Sequence, residues 1–208
     1  MKFQEFLDNI HKFKSIPLGG LEAQFKLAPK LRLKYDAEKI EANNPKRAAV
    51  LALFYPNQDE EATFLLTQRA SYKGTHSAQI SFPGGKIEER DILLVDTAIR
   101  EANEEVGIIK DDINIIREIT DVYIPPSNFL ATPFIGYTDY RPNFIINQEV
   151  ASTIEVLVSD LLDDSNIDSI KMNTSYMKNV DVPCFKLNDY IVWGATGMML
   201  SEIKEILK

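Results

Sequence analysis

Cysteine is all but missing from this sequence. Cys184 stands alone, which excludes an intramolecular disulfide framework and any cysteine-based zinc site. Between Pro183 and Phe185 it reads as a small buried apolar residue. No apolar run approaches the roughly 18 residues that span a bilayer. The opening stretch, MKFQEFLDNIHKFK, scatters charge throughout and lacks the apolar segment of a secretory signal. Positive charge is in deficit: 23 Lys and Arg against 31 Asp and Glu leave a net charge of −8. Such a surface argues against general binding to nucleic acid or to an anionic membrane. An anionic small-molecule substrate stays open, because a basic pocket or a bound cation reverses the local field. No repeat or low-complexity stretch is visible. These absences point to a reducing, cytoplasmic setting.

What remains is an ordinary globular composition. The chain has 208 residues, 45% of them hydrophobic, enough for one domain with a real core and too apolar for disorder. Phe3, Phe6, Leu7 and Ile10 follow the spacing of an amphipathic helix. That helix is expected to dock on the domain, with a homodimer contact as the alternative. Pro17, Gly19 and Gly20 then break the chain, dividing an N-terminal helix and linker (1–20) from a single domain (21–208). Residues 21–44 are ambiguous and carry the bases Lys26, Lys30, Arg32 and Lys34. Ala48 to Tyr55 and Thr63 to Gln68 read as a hairpin across a polar turn. A long loop, Ser71 to Gly85, holds glycines together with specific polar side chains, the mark of a functional loop. Ile92 to Val106 reads as a helix capped by Gly107. Further strands are expected at Ile115 to Ile124, Pro133 to Thr138 and Glu155 to Val158. A late hairpin should cross Asn188-Asp189, and a closing helix should run from Ala195 to Leu207. Strands flanked by helices at both ends give an α/β or α+β sandwich.

The chemistry lies in Phe82-Pro-Gly-Gly-Lys-Ile-Glu-Glu-Arg-Asp91 and the helix after it. Glu101, Glu104 and Glu105 stand at i, i+3 and i+4 and share one helical face. Like charges at that spacing oppose the helix by roughly 0.2–0.5 kcal/mol a pair. The helix C-terminus disfavours anions further. A compensating cation is the natural remedy. With oxygen ligands and no thiolate or imidazole nearby, that cation is a hard one, Mg²⁺ or Mn²⁺. Such ions bind jointly with substrate phosphates, which points to phosphate chemistry. Gly84 and Gly85 would let backbone approach a ligand closely. Arg100 can pair with Asp96 or Glu104, each four residues away, and so orient a carboxylate. The alternative for the three glutamates is a solvated acidic face.

This stretch resembles the Nudix box of the Nudix hydrolases, G-x5-E-x7-R-E-U-x-E-E-x-G-U, where U is a bulky aliphatic. Gly85, Arg100, Glu101, Glu104, Glu105, Gly107 and Ile108 match. The first acid is instead Asp91, eight residues rather than seven precede Arg100, and Ala102 replaces a bulky aliphatic. Upstream, Leu65, Leu66, Thr67, Arg69, His76, Gln79, Phe82, Pro83, Gly84 and Gly85 resemble the additional motif of the coenzyme A pyrophosphatases. Ala70, Gly74 and Ala78 depart from it, and the missing arginine at Gly74 leaves Lys73 as a replacement. Ile124-Pro-Pro-Ser127 and Trp193-Gly-Ala-Thr196 are also similar to that branch.

The resemblance implies a Nudix-like α/β/α sandwich with a mixed β-sheet. It implies metal-dependent hydrolysis of coenzyme A, or an acyl-coenzyme A, to 3′-phospho-AMP and 4′-phosphopantetheine. Glu101 and Glu105 would hold the metal, with Glu104 a third or water-mediated ligand and a Gly84-Gly85 carbonyl completing part of the shell. Glu149 is the candidate further carboxylate, as base or ligand, with Glu155 as the alternative. Arg69 is the first candidate for the substrate's phosphates, the 3′-phosphate included, followed by Lys73 and Arg47, with Gln79 in the same motif. Lys30, Arg32 and Lys34 could help to bind those phosphates, but a solvated face is the preferred reading. His76 would orient a phosphate or a loop carbonyl, with a structural hydrogen bond as the alternative. Tyr72 and Tyr123 are candidates to stack on adenine, with packing as the alternative. Phe82 and Trp193 are expected in the core. Hydrolysis of ADP-ribose, NADH or a nucleoside triphosphate, or nucleotide binding without cleavage, are the rival functions.

Overall fold

The computed structural model of the chain describes residues 1–70, 79–172 and 179–208. The N-terminal region holds α1 (Phe3–Asp8), α2 (Ile10–Ser15), α3 (Gly20–Phe25), a 3₁₀ turn at Lys30–Lys34 and α4 (Ala37–Ala42). Then follow β1 (Lys46–Pro56), β2 (Ala62–Arg69), β3 (Ile80–Ser81), β4 (Gly84–Lys86) and α5 (Leu94–Val106). Next are β5 (Asn114–Glu118), β6 (Val122–Ile124), β7 (Phe129–Tyr137), β8 (Val150–Leu157) and α6 (Val158–Leu162). The chain continues through β9 (Ile167–Met172), β10 (Val180–Leu187), β11 (Tyr190–Trp193) and α7 (Gly194–Leu207).

The main sheet is mixed. Its path is β3-β2-β1-β7-β5, with β4 also on β1, β6 on β7 and β8 on β2. β1 and β7 run parallel at its centre, and the other pairings are antiparallel. β1 is apolar almost throughout because both of its faces are covered. Ala49, Leu51, Leu53 and Tyr55 face one core with Ala98, Ala102 and Val106 of α5. Ala52 and Phe54, alternating with them, face a second core with Met198, Met199, Leu200 and Ile203 of α7. Helices on both faces of a mixed sheet make the expected α/β/α sandwich. A second, three-stranded sheet, β11-β10-β9, packs Phe185, Leu187 and Val192 into the α7 core. Its hairpin turns at Asn188-Asp189, both at positive φ (48° and 63°), as a two-residue turn requires.

Two local expectations change, and one ambiguous segment takes a definite form. The N-terminal helix is two helices, because Asn9 sits outside helical geometry (ψ 0°) and its amide bonds back to the Glu5 carbonyl at 2.8 Å. Phe3, Phe6 and Phe13 nevertheless enter the core of this same chain, Phe6 lying 5.0 Å from Phe54. The strand expected over Ile115 to Ile124 breaks between β5 and β6, where Thr120 and Asp121 meet Gln24 and Arg47. The ambiguous residues 21–44 form the short helices α3 and α4 and the turn between them.

Candidate functional site

A 3.6-residue repeat puts Ala98, Ala102 and Val106 of α5 into the core and turns the glutamates toward β4. Asp96 in the first turn accepts the backbone N–H groups of Leu93 (2.8 Å) and Ile92 (3.2 Å). It therefore caps the helix and does not pair with Arg100. Gly107, at φ 75°, ends the helix in the left-handed conformation that the sequence requires. The exposed carbonyls of the last turn are satisfied by an incoming loop: Ile145 N–H donates to Val106 (3.0 Å) and Asn147 N–H to Glu105 (3.0 Å). This docking brings Glu149 to the same end of the cleft as the α5 glutamates.

Arg100 organises the helix face. Its residue is 4% exposed, and its Nε and Nη2 each donate to Asp91 at 2.9 Å. Nη1 donates to Glu101 (2.8 Å) and Glu104 (3.2 Å), and Nη2 also reaches the Lys86 carbonyl (3.0 Å). Asp91 further accepts from Thr97 Oγ1 (2.9 Å) and the Glu88 N–H (2.9 Å). The Arg100 guanidinium, first among several donors, holds the Asp91 carboxyl far below the usual carboxylate range. Asp91 reciprocally raises Arg100. Asp91 is thus the partner that the spacing rule missed, because its turn places it beside Arg100 from outside the helix.

Two carboxylates lie against the glycines. Glu105 is 8% exposed and accepts the Gly84 N–H at 3.1 Å. Burial pushes its pKa up to about 7; the Gly84 bond opposes this, and the neighbouring Glu101 adds to it. Glu101 is also raised, first by burial, against the pull of Arg100. A Cβ on Gly85 would come 2.3 Å from Glu101 Oε1, and one on Gly84 would come 2.4 Å from the Ala49 carbonyl. Only hydrogen fits against the backbone at Gly84, and a side chain at Gly85 would displace the Glu101 carboxylate. Glu104 turns outward to Arg90 (2.8 Å) and Arg100 (3.2 Å). Among the described residues, no three acidic, imidazole or thiolate groups converge as a ready-made metal cage. The oxygen-only pair Glu101 and Glu105, desolvated and mutually repelling, still suits a hard cation that keeps waters and shares substrate oxygens.

A cleft of about 440 Å³ opens beside this pair. Glu101, Glu104, Glu105, Arg100, Gly84, Gly85, Arg69, Gln79 and Glu149 all line it. Arg69 lies 3.5 Å from Glu149. Arg47 does not line it: its guanidinium bonds Asp121 (3.2 Å) and Thr132 (2.9 Å), and strand alternation turns it away from the face of Ala48 and Val50. Glu155 is engaged elsewhere by Arg141 (2.6 Å) and Tyr55 (3.2 Å). Tyr123 is buried, with its hydroxyl on Asn128 (3.0 Å), so it packs. Phe82 is core, as expected. Trp193 is not: it is half-buried and lines the cleft, as do Met199, Phe129 and Ile124. Arg32, read from sequence as part of a solvated face, lines the cleft as well. Lys73, His76 and Tyr72 lie outside the described residues.

Three comparisons bear on this arrangement. The sequence model of the NUDIX domain matches residues 45–160. An uncharacterized Nudix hydrolase, NudL, of Yersinia pestis (strain Pestoides F) is 30% identical over 161 residues, spanning 77% of this chain and 79% of that protein. A MutT/nudix family protein from Enterococcus faecalis, known from its crystal structure, aligns with a TM-score of 0.52 at 13% identity over 93% of this chain and 76% of that one, a likeness of fold.

Proposed function

This chain belongs to the NUDIX domain family, and from that membership we propose that it hydrolyses the diphosphate bond of coenzyme A or a coenzyme A derivative. The products would be 3′-phospho-AMP and 4′-phosphopantetheine. The observation that carries the reading is the desolvated pair Glu101 and Glu105, set against Gly84 and Gly85 in the lining of a cleft of about 440 Å³. Glu101 and Glu105 would hold Mg²⁺ or Mn²⁺, which when bound would supply positive charge against the phosphoryl oxygens and a more acidic water. Arg100, itself fixed by Asp91, orients Glu101. Glu149 is the candidate to take the water's proton. Arg69, beside Glu149, meets the diphosphate through its planar fork. The choice of coenzyme A rests on the motif running from Leu65 to Gly85.

The deciding experiment is a panel of coenzyme A, dephospho-coenzyme A, ADP-ribose, NADH and nucleoside triphosphates with Mg²⁺ or Mn²⁺, products resolved by mass. Cleavage of coenzyme A to the two named products is expected. If ADP-ribose or NADH is cut and coenzyme A is left intact, the substrate assignment is wrong. Within this reading, Arg69→Ala should lower kcat/KM for coenzyme A and dephospho-coenzyme A alike, by about tenfold. A loss confined to coenzyme A would move Arg69 to the 3′-phosphate. Gly85→Ala should lower kcat roughly ten- to a hundredfold, because the methyl displaces the Glu101 carboxylate that Arg100 holds. Unchanged turnover in that variant would show that the Glu101 position is not critical.

A further inference from the structure

We propose that Arg32 determines specificity by binding a phosphate monoester carried on the substrate's ribose, remote from the diphosphate. The inference rests on the diphosphatase reading of the cleft, although not on coenzyme A itself. Four cations line this cleft, Arg32, Arg69, Lys86 and Arg100, and their commitments differ; Lys86 ends β4, the strand against which α5 and its carboxylates pack. Arg100 is consumed by Asp91, Glu101 and Glu104. Arg69 stands at the carboxylate end, paired with Glu149 and close enough to Glu105 to oppose the rise of its pKa. Arg32 belongs to the opposite flank. It comes from the 3₁₀ turn at Lys30–Lys34, upstream of the segment that the family model matches. Its Nη1 donates to the Tyr123 carbonyl on β6, which pins the guanidinium there.

The sheet sets the separation. Arg69 ends β2, where that strand has parted from β1 and pairs with β8 and β3. Arg32 is anchored on β6, and β4, β1 and β7 are the strands that intervene between the two anchors. One fork held on Glu149 and the other on Tyr123 do not share a single diphosphate, whose phosphorus atoms are bridged by one oxygen. A diphosphate plus a separate phosphate satisfies both. Beside the Tyr123 anchor the cleft lining is apolar, with Ile124 paired to Phe129, and Trp193 and Met199 add to the apolar lining, a surface suited to the face of a base. In a chain of net charge −8, a fixed guanidinium beside such a wall favours a dianionic group on the attached ribose.

The test uses matched pairs that differ by one phosphate: coenzyme A with dephospho-coenzyme A, and NADPH with NADH. Arg32→Ala should lower the ratio of kcat/KM within a turned-over pair roughly ten- to a hundredfold, mainly through KM. Arg32→Lys should restore part of that ratio, since it keeps the charge and loses the fork. A mere latch between the 3₁₀ turn and β6 would lower both members alike; an unchanged ratio overturns the proposal. If the wild type cleaves neither pair, calorimetry with adenosine 3′,5′-bisphosphate and adenosine 5′-monophosphate decides. The wild type should prefer the bisphosphate and Arg32→Ala should lose that preference; a preference absent in the wild type or retained in the variant overturns it. Failure of the coenzyme A reading shows instead as wild-type turnover of other substrates only.

Discussion

Replacing Glu105 by glutamine is expected to cut Mg²⁺-dependent turnover by at least about a thousandfold, the scale of losing a group that organises transition-state charge. The fold should survive. Glutamine has the same shape and keeps an acceptor oxygen for the Gly84 N–H, now 3.1 Å from the carboxylate. It also removes a charge that burial opposes. Steady-state kinetics, thermal unfolding and Mn²⁺ calorimetry on wild type and variant separate the contributions. Full activity, or undiminished Mn²⁺ uptake, would remove Glu105 from the metal site.

Asp91→Ala is the second large effect, and it is one of stability. Breaking a buried ion pair costs about 3–5 kcal/mol. Because Glu101 and Glu104 remain beside Arg100, the lower end, about 3 kcal/mol, is expected at pH 7. The pH dependence has a definite sign. The folded-state pKa of Asp91 is depressed, so between that value and the ordinary aspartate value of about 3.9 the unfolded chain binds the extra proton. The stabilisation is therefore fully present above about pH 4 and fades as pH falls toward the folded value. Urea unfolding from pH 7 downward should show the gap between wild type and variant shrinking only below about pH 4. A gap that is constant with pH would mean that Asp91 acts through packing and not through its charge.

Asp91 also shows how a sequence departure is absorbed. An aspartate replaces the usual glutamate and an extra residue precedes Arg100, yet both carboxylate oxygens reach the guanidinium at 2.9 Å. The rule that pairs residues four apart on a helix selected Asp96 or Glu104, and only Glu104 is a partner. Asp96 was already engaged by the free N–H groups at the start of α5.

What the sequence determined by itself is local. The shared face of Glu101, Glu104 and Glu105, the glycine cap at Gly107 and the Asn188-Asp189 turn all follow from interactions a few residues long. Only the tertiary structure decided which side chains share the cleft. Alternation along β1 says that Arg47 and Ala48 face opposite ways, but the packing of α5 and α7 decides which way is which. Trp193 and Arg32, 161 positions apart, meet at one cleft because α7 and the N-terminal turn both close the same face of the sheet. Periodicity carries no information about such partners, since long-range contact is set by how whole elements bury their apolar faces.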